Sequence, residues 1–221
     1  MSVLYIVATP IGNLEDVSLR ALRILKEVDF VLAEDTRVTK KLLSHYNIQT
    51  SLISYHQHSK EKKMQEIAGL LTQGRNLALV TDVGTPGISD PGNELIAFLV
   101  GIVPTLQIVA IPGASALTTL ASIAGIPMDK FLFLGYPPHK KGRKKFFEEV
   151  AFSKHPVIFY ESPHRIIKSL SELESILNTY IVVGRELTKK FETVYRGTIE
   201  EVLKVLSKEK IQGEFVVVVY K

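Results

Sequence analysis

Residues 77–92 read Leu77-Ala-Leu-Val80-Thr81-Asp82-Val83-Gly84-Thr85-Pro86-Gly87-Ile88-Ser89-Asp90-Pro91-Gly92. The opening apolar run, 77–81, reads as a buried strand, and residues 92–99 begin a helix. The twelve residues 81–92, from the end of the strand to the start of the helix, carry turn chemistry. A loop at the carboxyl end of a strand is where open α/β sheets bind ligands. Three glycines let a backbone approach a ligand without a Cβ in the way, and two prolines stiffen the loop. Asp82, Ser89 and Asp90 supply acceptors. The plainer alternative is a tight turn in which Asp90 caps the next helix and Pro91 takes its first position. A cap alone does not need twelve such residues, so the segment is read as a ligand loop. It is neither a Walker A loop, lacking Gly-Lys-Ser/Thr, nor a GxGxxG fingerprint.

Outward from this loop, strand and helix patterns alternate. Residues 3–8, 30–33 and 107–111 are short apolar runs. Residues 17–28 place Val17, Ala21, Ile24, Leu25 and Val28 on one helical face. Residues 60–71 and 114–124 also read as helices. This pattern predicts an α/β fold with parallel elements. After Gly125-Ile-Pro127 the alternation resumes: strands at 131–135, 157–160 and 180–184, helices at 146–152 and 166–177, and a valine-rich last strand at 214–220. The reading gives two α/β domains, 1–113 and 114–221, with no low-complexity linker.

The 221 residues are 46% hydrophobic, enough to bury a sizeable core. Lys and Arg number 27 against 23 Asp and Glu, a formal +4 that permits an anionic partner without demanding one. The chain has no cysteine, which excludes disulfides, thiolate nucleophiles and thiolate zinc sites. His56 and His58 have no partner at a ligand interval, so no metal is expected. The N-terminus lacks a basic n-region, and the longest apolar stretch, 95–106, is broken by Gly101 and Pro104. A cytoplasmic protein without a membrane span is expected.

Five further motifs follow strand-like runs. Thr9-Pro10-Ile-Gly12-Asn13 is a second rigid loop. Ile111-Pro-Gly113-Ala-Ser115-Ala116 opens a helix with small residues, which leaves either room for a ligand or close packing. Ala33-Glu34-Asp35-Thr36-Arg37 mixes charges at a strand end, and for this piece alone a helix capped by Asp35 or Thr36 with a solvated ion pair is the default reading. Phe159-Tyr-Glu161-Ser-Pro-His-Arg165 and Gly184-Arg-Glu186-Leu-Thr-Lys189-Lys-Phe-Glu192 combine acids, bases and hydroxyls suited to a polar substrate, or to capped turns. The run His139-Lys140-Lys141-Gly-Arg143-Lys144-Lys145 is a candidate phosphate-contact patch, or a solvated loop.

Together these segments resemble the bacterial small-subunit (16S) rRNA cytidine-2′-O-methyltransferase family, a branch of the tetrapyrrole methylase superfamily. The matching pieces are TPIGN (9–13), AEDTR (33–37), TDVGTPGISDPG (81–92), IPGAS (111–115), FYESPHR (159–165), GRELTKKFET (184–193) and GEFVVVV (213–219). The resemblance implies a two-domain tetrapyrrole-methylase-like fold with S-adenosylmethionine (SAM) in the interdomain cleft. It also implies a homodimer and a cytidine of the small ribosomal subunit as target. Carried over by motif, Pro10, Asp82, Val83, Gly84, Gly87, Ser115 and Ala116 are the expected cofactor-binding residues. Two departures stand out. Many relatives continue beyond the final strand, and an RNA contact made there would be missing here. Ala114 occupies a position where proline is expected, which should loosen that loop.

Methyl transfer to a ribose hydroxyl needs positioning and a proton acceptor, and no metal. Glu161, Glu186 and Glu192 are the expected acceptors, ahead of Glu34, Asp35 and Asp82. Lys189 is expected to stabilise a developing alkoxide, and Arg37, Lys140, Lys141, Arg143 and Arg165 to hold RNA. The competing readings are a tetrapyrrole C-methyltransferase and a non-catalytic SAM- or nucleotide-binding assembly factor.

Overall fold

Short runs of apolar residues, each followed by an amphipathic segment, build a five-stranded sheet in the first part of the chain. The structure is a computed structural model that describes residues 2–56, 61–90 and 92–221. His58, Lys60 and Pro91, on which sequence expectations rested, lie outside the described residues. Contacts divide the chain into two units, Met1–Ser115 and Ala116–Lys221.

The first unit runs β1 (Val3–Val7), α1 (Leu19–Glu27), β2 (Phe30–Ala33), α2 (Thr36–His45), β3 (Ser51–Ser54), α3 (Glu61–Thr72), β4 (Leu77–Val80), α4 (Gly92–Ile102) and β5 (Gln107–Ile111). All neighbours are parallel, in the order β3-β2-β4-β1-β5. Alternating side chains feed opposite faces. Leu4, Ile6, Leu32, Leu77 and Leu79 meet Ile67 and Leu71 of α3 and Leu95 and Leu99 of α4. Val7, Val31, Ala33, Ala78 and Val80 meet Ala21, Ile24 and Leu25 of α1 and Leu43 of α2. Both faces are covered, as an all-parallel sheet requires. Sequence reasoning placed a helix cap at Asp35 or Thr36 but did not follow the helix to His45, and it missed β3. Asp35 caps α2 by accepting from the Arg37 N–H, which explains how a helix rich in Lys and Thr starts there. The four residues of β3 include two exposed serines and show too little apolar alternation to announce a strand.

The second unit runs α5 (Ala116–Ile123), β6 (Leu132–Phe133), α6 (Arg143–Phe152), β7 (Val157–Glu161), α7 (Ile166–Glu174), β8 (Tyr180–Arg185), β9 (Thr193–Thr198), α8 (Ile199–Leu206) and β10 (Phe215–Tyr220). Its sheet order is β6-β7-β10-β8-β9. Only β6 and β7 are parallel; the other pairs are antiparallel. The reason is the short hairpin between β8 and β9 and the return of β10 between β7 and β8. Phe159, Val183, Phe215 and Val217 pack on one face against Phe147 of α6 and against α7 and α8. Both β9 and α8 were unforeseen, although α8 carries a full capping box between Thr198 and Glu201.

Gly184 lies on the opposite face, where a Cβ would come within 2.9 Å of both Leu120 of α5 and Leu187. Gly184→Ala is expected to lower stability by about 1–3 kcal/mol, as overpacking does. A shift of the urea midpoint to lower concentration at constant slope would show it. An unchanged midpoint would mean the leucines move aside.

Among the described residues no helix is long and apolar enough to cross a membrane.

Candidate functional site

In the first unit β1 and β4 are adjacent, yet the helices that follow them lie on opposite faces of the sheet. The chain therefore diverges at their carboxyl ends and leaves a crevice there. Such a switch point is where open α/β sheets bind ligands. The TPIGN and TDVGTPGISDPG loops leave from these two strands.

The two loops are stitched together. The Thr9 N–H donates to the Gly84 carbonyl at 2.9 Å, and the Gly84 N–H donates back to the Thr9 carbonyl at 3.1 Å. The Thr9 hydroxyl also donates to the Thr81 carbonyl. Gly84 takes a φ of +85°, which a side chain would strain, and its missing Cβ lets Ile11 approach. Asp90 accepts from the N–H groups of Gly87 and Gly92, so it does hold the turn and the start of α4. Pro10 is buried beneath this arrangement, whereas Val83 and Ile88 are exposed on the loop.

A third loop joins them. The Thr85 hydroxyl donates to the Ala114 carbonyl at 3.1 Å. A Cβ on Gly113 would meet that of Ala8 at 2.9 Å, so here the small residue serves close packing within the unit. Ala114 is thus tied down even without a proline. Ser115 ends the first unit and Ala116 begins α5.

Carboxylates gather at the ends of β2 and β4. Asp82 accepts from the Asp35 N–H at 2.9 Å, and Glu34 accepts from the Thr81 hydroxyl at 2.7 Å. Burial pushes the Asp82 carboxyl above its usual value, and the nearby charges of Glu34 and Asp35 add to this, against the pull of the Asp35 N–H. Asp35 behaves oppositely: hydrogen bonds from the Arg37 side chain and N–H hold it down at about 2. Arg37 meets Asp35 in a fork and remains largely exposed, so it keeps access to an anion.

The second unit sorts its candidates sharply. Glu161 is 1% exposed. One of its oxygens accepts from the Ser162 N–H and pairs with Arg165 at 2.9 Å; the other accepts from the Ser169 hydroxyl. Arg143 is 7% exposed and donates to Glu172 at 2.6 Å, Ser169 at 2.7 Å and the Pro138 carbonyl. Arg165 spends its remaining groups on the Ser162 hydroxyl and the Pro137 carbonyl. These three residues form an internal network. This corrects the expectation that Arg143 and Arg165 present themselves to phosphate: both guanidiniums are consumed inside. Lys140, Lys141, Lys144 and Lys145 are exposed around the buried Arg143.

Glu186 takes a φ of +52° and binds Lys189 Nζ and the Glu214 N–H through one oxygen. Burial raises its pKa, but those two bonds outweigh it and leave the carboxyl below its usual value. Lys189 sits 2.8 Å from both Glu186 and Glu214; burial lowers its pKa, yet the two carboxylates carry it above its ordinary value. Glu192 is exposed and uses one oxygen to accept the Thr188 N–H.

Sequence reasoning missed Ser169, Glu172 and Tyr136. Ser169 had a signal: a serine on the buried face of α7 among Ile166, Leu170 and Leu173. Among the described residues no three His, Asp or Glu side chains gather to hold a metal.

The sequence pattern of the Tetrapyrrole (Corrin/Porphyrin) Methylases matches residues 3–203. The chain belongs to this family. It is 47% identical over 218 residues to a Halalkalibacterium halodurans protein named "Ribosomal RNA small subunit methyltransferase I", covering 98% of this chain and 75% of the relative. A Thermotoga maritima protein of the same name is 40% identical, with 99% and 98% covered. The crystal structure of a cobalt precorrin-4 methyltransferase superposes with a TM-score of 0.71 at 17% identity, over 99% of this chain and 94% of that one, a likeness of fold.

Proposed function

We propose that the chain transfers a methyl group from SAM to the 2′-hydroxyl of a cytidine ribose in 16S rRNA of the small ribosomal subunit. The observation that carries this is the switch-point site built from the same motifs in a chain 47% identical to a small-subunit rRNA methyltransferase. The same reading makes the protein a cytoplasmic homodimer that uses no metal.

The residues of the crevice fit such a donor. SAM carries a positive sulfonium and ammonium, and Glu34, Asp35 and Asp82 supply negative charge at the adjacent ends of β2 and β4. Pro10, Val83, Gly84, Gly87, Ser115 and Ala116 would line the rest of it, with glycine backbones free to approach closely. When bound, SAM supplies an electrophilic methyl group, so the protein has mainly to orient and to take up a proton.

Three carboxylates were expected to accept that proton. Glu161 is enclosed by guanidiniums and a hydroxyl, and Glu186 is held acidic by Lys189 and the Glu214 N–H. Glu192 keeps one oxygen without a bond among the described residues, and we assign it the role. Lys189, which pairs with Glu186 and Glu214, would stabilise developing negative charge. Lys140 and Lys141, with exposed Arg37, would contact phosphates.

Labelled SAM incubated with undermethylated small subunits, naked rRNA or a tetrapyrrole tests the reading. Label is expected in a cytidine ribose, located by nucleoside mass spectrometry. Label in the tetrapyrrole alone, or in nothing, overturns it. Glu192→Gln is expected to lower turnover at saturating SAM by about 10²-fold or more, the usual weight of a general base. A near-normal rate would remove Glu192 from the mechanism.

A further inference from the structure

Between β6 and α6 the chain passes through Gly135-Tyr136-Pro137-Pro138 before the lysine run. Three carbonyls in this short stretch are held. The Tyr160 N–H donates to Gly135 at 2.9 Å, Arg165 to Pro137 at 3.0 Å and Arg143 to Pro138 at 3.2 Å. Both arginines are in turn fastened to the Glu161–Ser169 pair. A surface segment anchored by two largely buried guanidiniums does not wander.

The side chain carried by this fixed backbone is aromatic. Tyr136 is 50% exposed. Its ring lies 5.4 Å from that of Tyr160, tilted by 59°, and Tyr160 meets Phe133 edge-on at 5.0 Å. The ring is thus backed by other rings and half open to solvent. Phe191 is more exposed, but the neighbour over its ring is the Lys190 ammonium. Four residues after Tyr136 the exposed lysines begin, at 140, 141, 144 and 145.

We infer that Tyr136 is a stacking platform for an unpaired nucleobase of the RNA, with the neighbouring lysines holding its phosphates. The inference rests on the RNA reading given above. A backed, half-open ring beside a basic run is the arrangement by which proteins bind single-stranded nucleic acid: aromatic faces take bases and cations follow the backbone. The charge favours RNA as the occupant, since four exposed lysines follow the segment and, among the described residues, Lys144 alone of the four has an acid in range, Glu148 at 3.8 Å. The Glu161–Arg143–Arg165 network acts through this segment as a positioning device, which gives the FYESPHR motif a role apart from proton transfer.

The test compares wild type, Tyr136→Ala and Tyr136→Phe as full chains. Binding of a fluorescein-labelled single-stranded rRNA fragment is followed by anisotropy at several salt concentrations, and SAM binding by calorimetry. Tyr136→Ala is expected to weaken RNA binding by roughly 5- to 150-fold, the range for one base–aromatic stack. The slope of log affinity against log salt should stay the same, because no phosphate contact is lost. Tyr136→Phe should bind within about twofold of wild type, since the stacking face survives. SAM affinity should be equal in all three. Wild-type RNA binding by Tyr136→Ala overturns the inference, as does a loss accompanied by weaker SAM binding, which would mark a structural defect. If wild type methylates RNA while Tyr136→Ala binds normally, only this inference fails. If wild type neither binds nor methylates RNA, the proposed function fails with it.

Discussion

Asp82→Asn is expected to weaken SAM binding by roughly ten- to a hundredfold, the weight of one charged hydrogen bond or ion pair. Asparagine retains an oxygen able to accept the Asp35 N–H, so the stitch between the ends of β2 and β4 survives and the charge alone is removed. Burial already raises the Asp82 pKa above 3.8, with Glu34 and Asp35 adding to the shift. Asp82 therefore takes up a proton earlier than an ordinary carboxyl as pH falls. Donor affinity should be full above the raised value and decline as pH drops through it. The folded-state pKa lies above the unfolded one, so the stability linked to Asp82 runs the other way: present at low pH, and lost as pH rises through the folded value. A cationic ligand repays that loss, which is how a site can be poor for stability and good for binding. Calorimetric titration of both proteins with SAM across pH measures this. Equal affinities, or a variant that retains the wild-type pH dependence, would remove Asp82 from the donor site.

The largest stability effect is expected from Glu161→Ala, about 3–5 kcal/mol, because it leaves buried guanidiniums without their shared anion. Arg165 lies 2.9 Å from this carboxylate, and Arg143 approaches it at 4.0 Å while bonded to the same serine. Glu161→Gln keeps an acceptor for the Ser162 N–H and the Ser169 hydroxyl and should fall in between. Urea denaturation gives the comparison. A Glu161→Ala protein as stable as wild type but without turnover would reinstate Glu161 as a proton acceptor.

The inner strands of the first sheet were legible because they are covered on both faces and so are continuous apolar runs, as in Leu77–Val80, whereas the edge strand β3 was not. The loops were legible because glycine and proline mark strand ends: Gly84 and Gly87 both take positive φ. A cap without apolar periodicity behind it gave less: at Asp35 it marked the start of α2 but not its length, and α8 behind Thr198 escaped notice. Side-chain fate was the least readable layer. Glu161, Glu186 and Glu192 look alike in sequence as acids after strands. They part company through the partners the fold brings to them: Arg165 and Ser169 of the following helix region for Glu161, Lys189 and the distant Glu214 N–H for Glu186. Likewise nothing in the run of residues 139–145 says that its arginine turns inward while its lysines turn out. That depends on Glu172, on a helix 29 residues away in sequence.

The burial of Arg143 has a consequence for ionic strength. A cation locked inside the protein has no partner to trade with solvent, so RNA binding displaces no condensed counterion on its account. Four lysines of the segment are exposed and, in the proposed RNA complex, would meet the nucleic acid. At about 0.7 counterions per phosphate neutralised on a single strand, these four would set a logarithmic salt slope of about −2.8, where all five cations would give about −3.5. The inward arginine thus makes this stretch less sensitive to the salt around it than its composition promises.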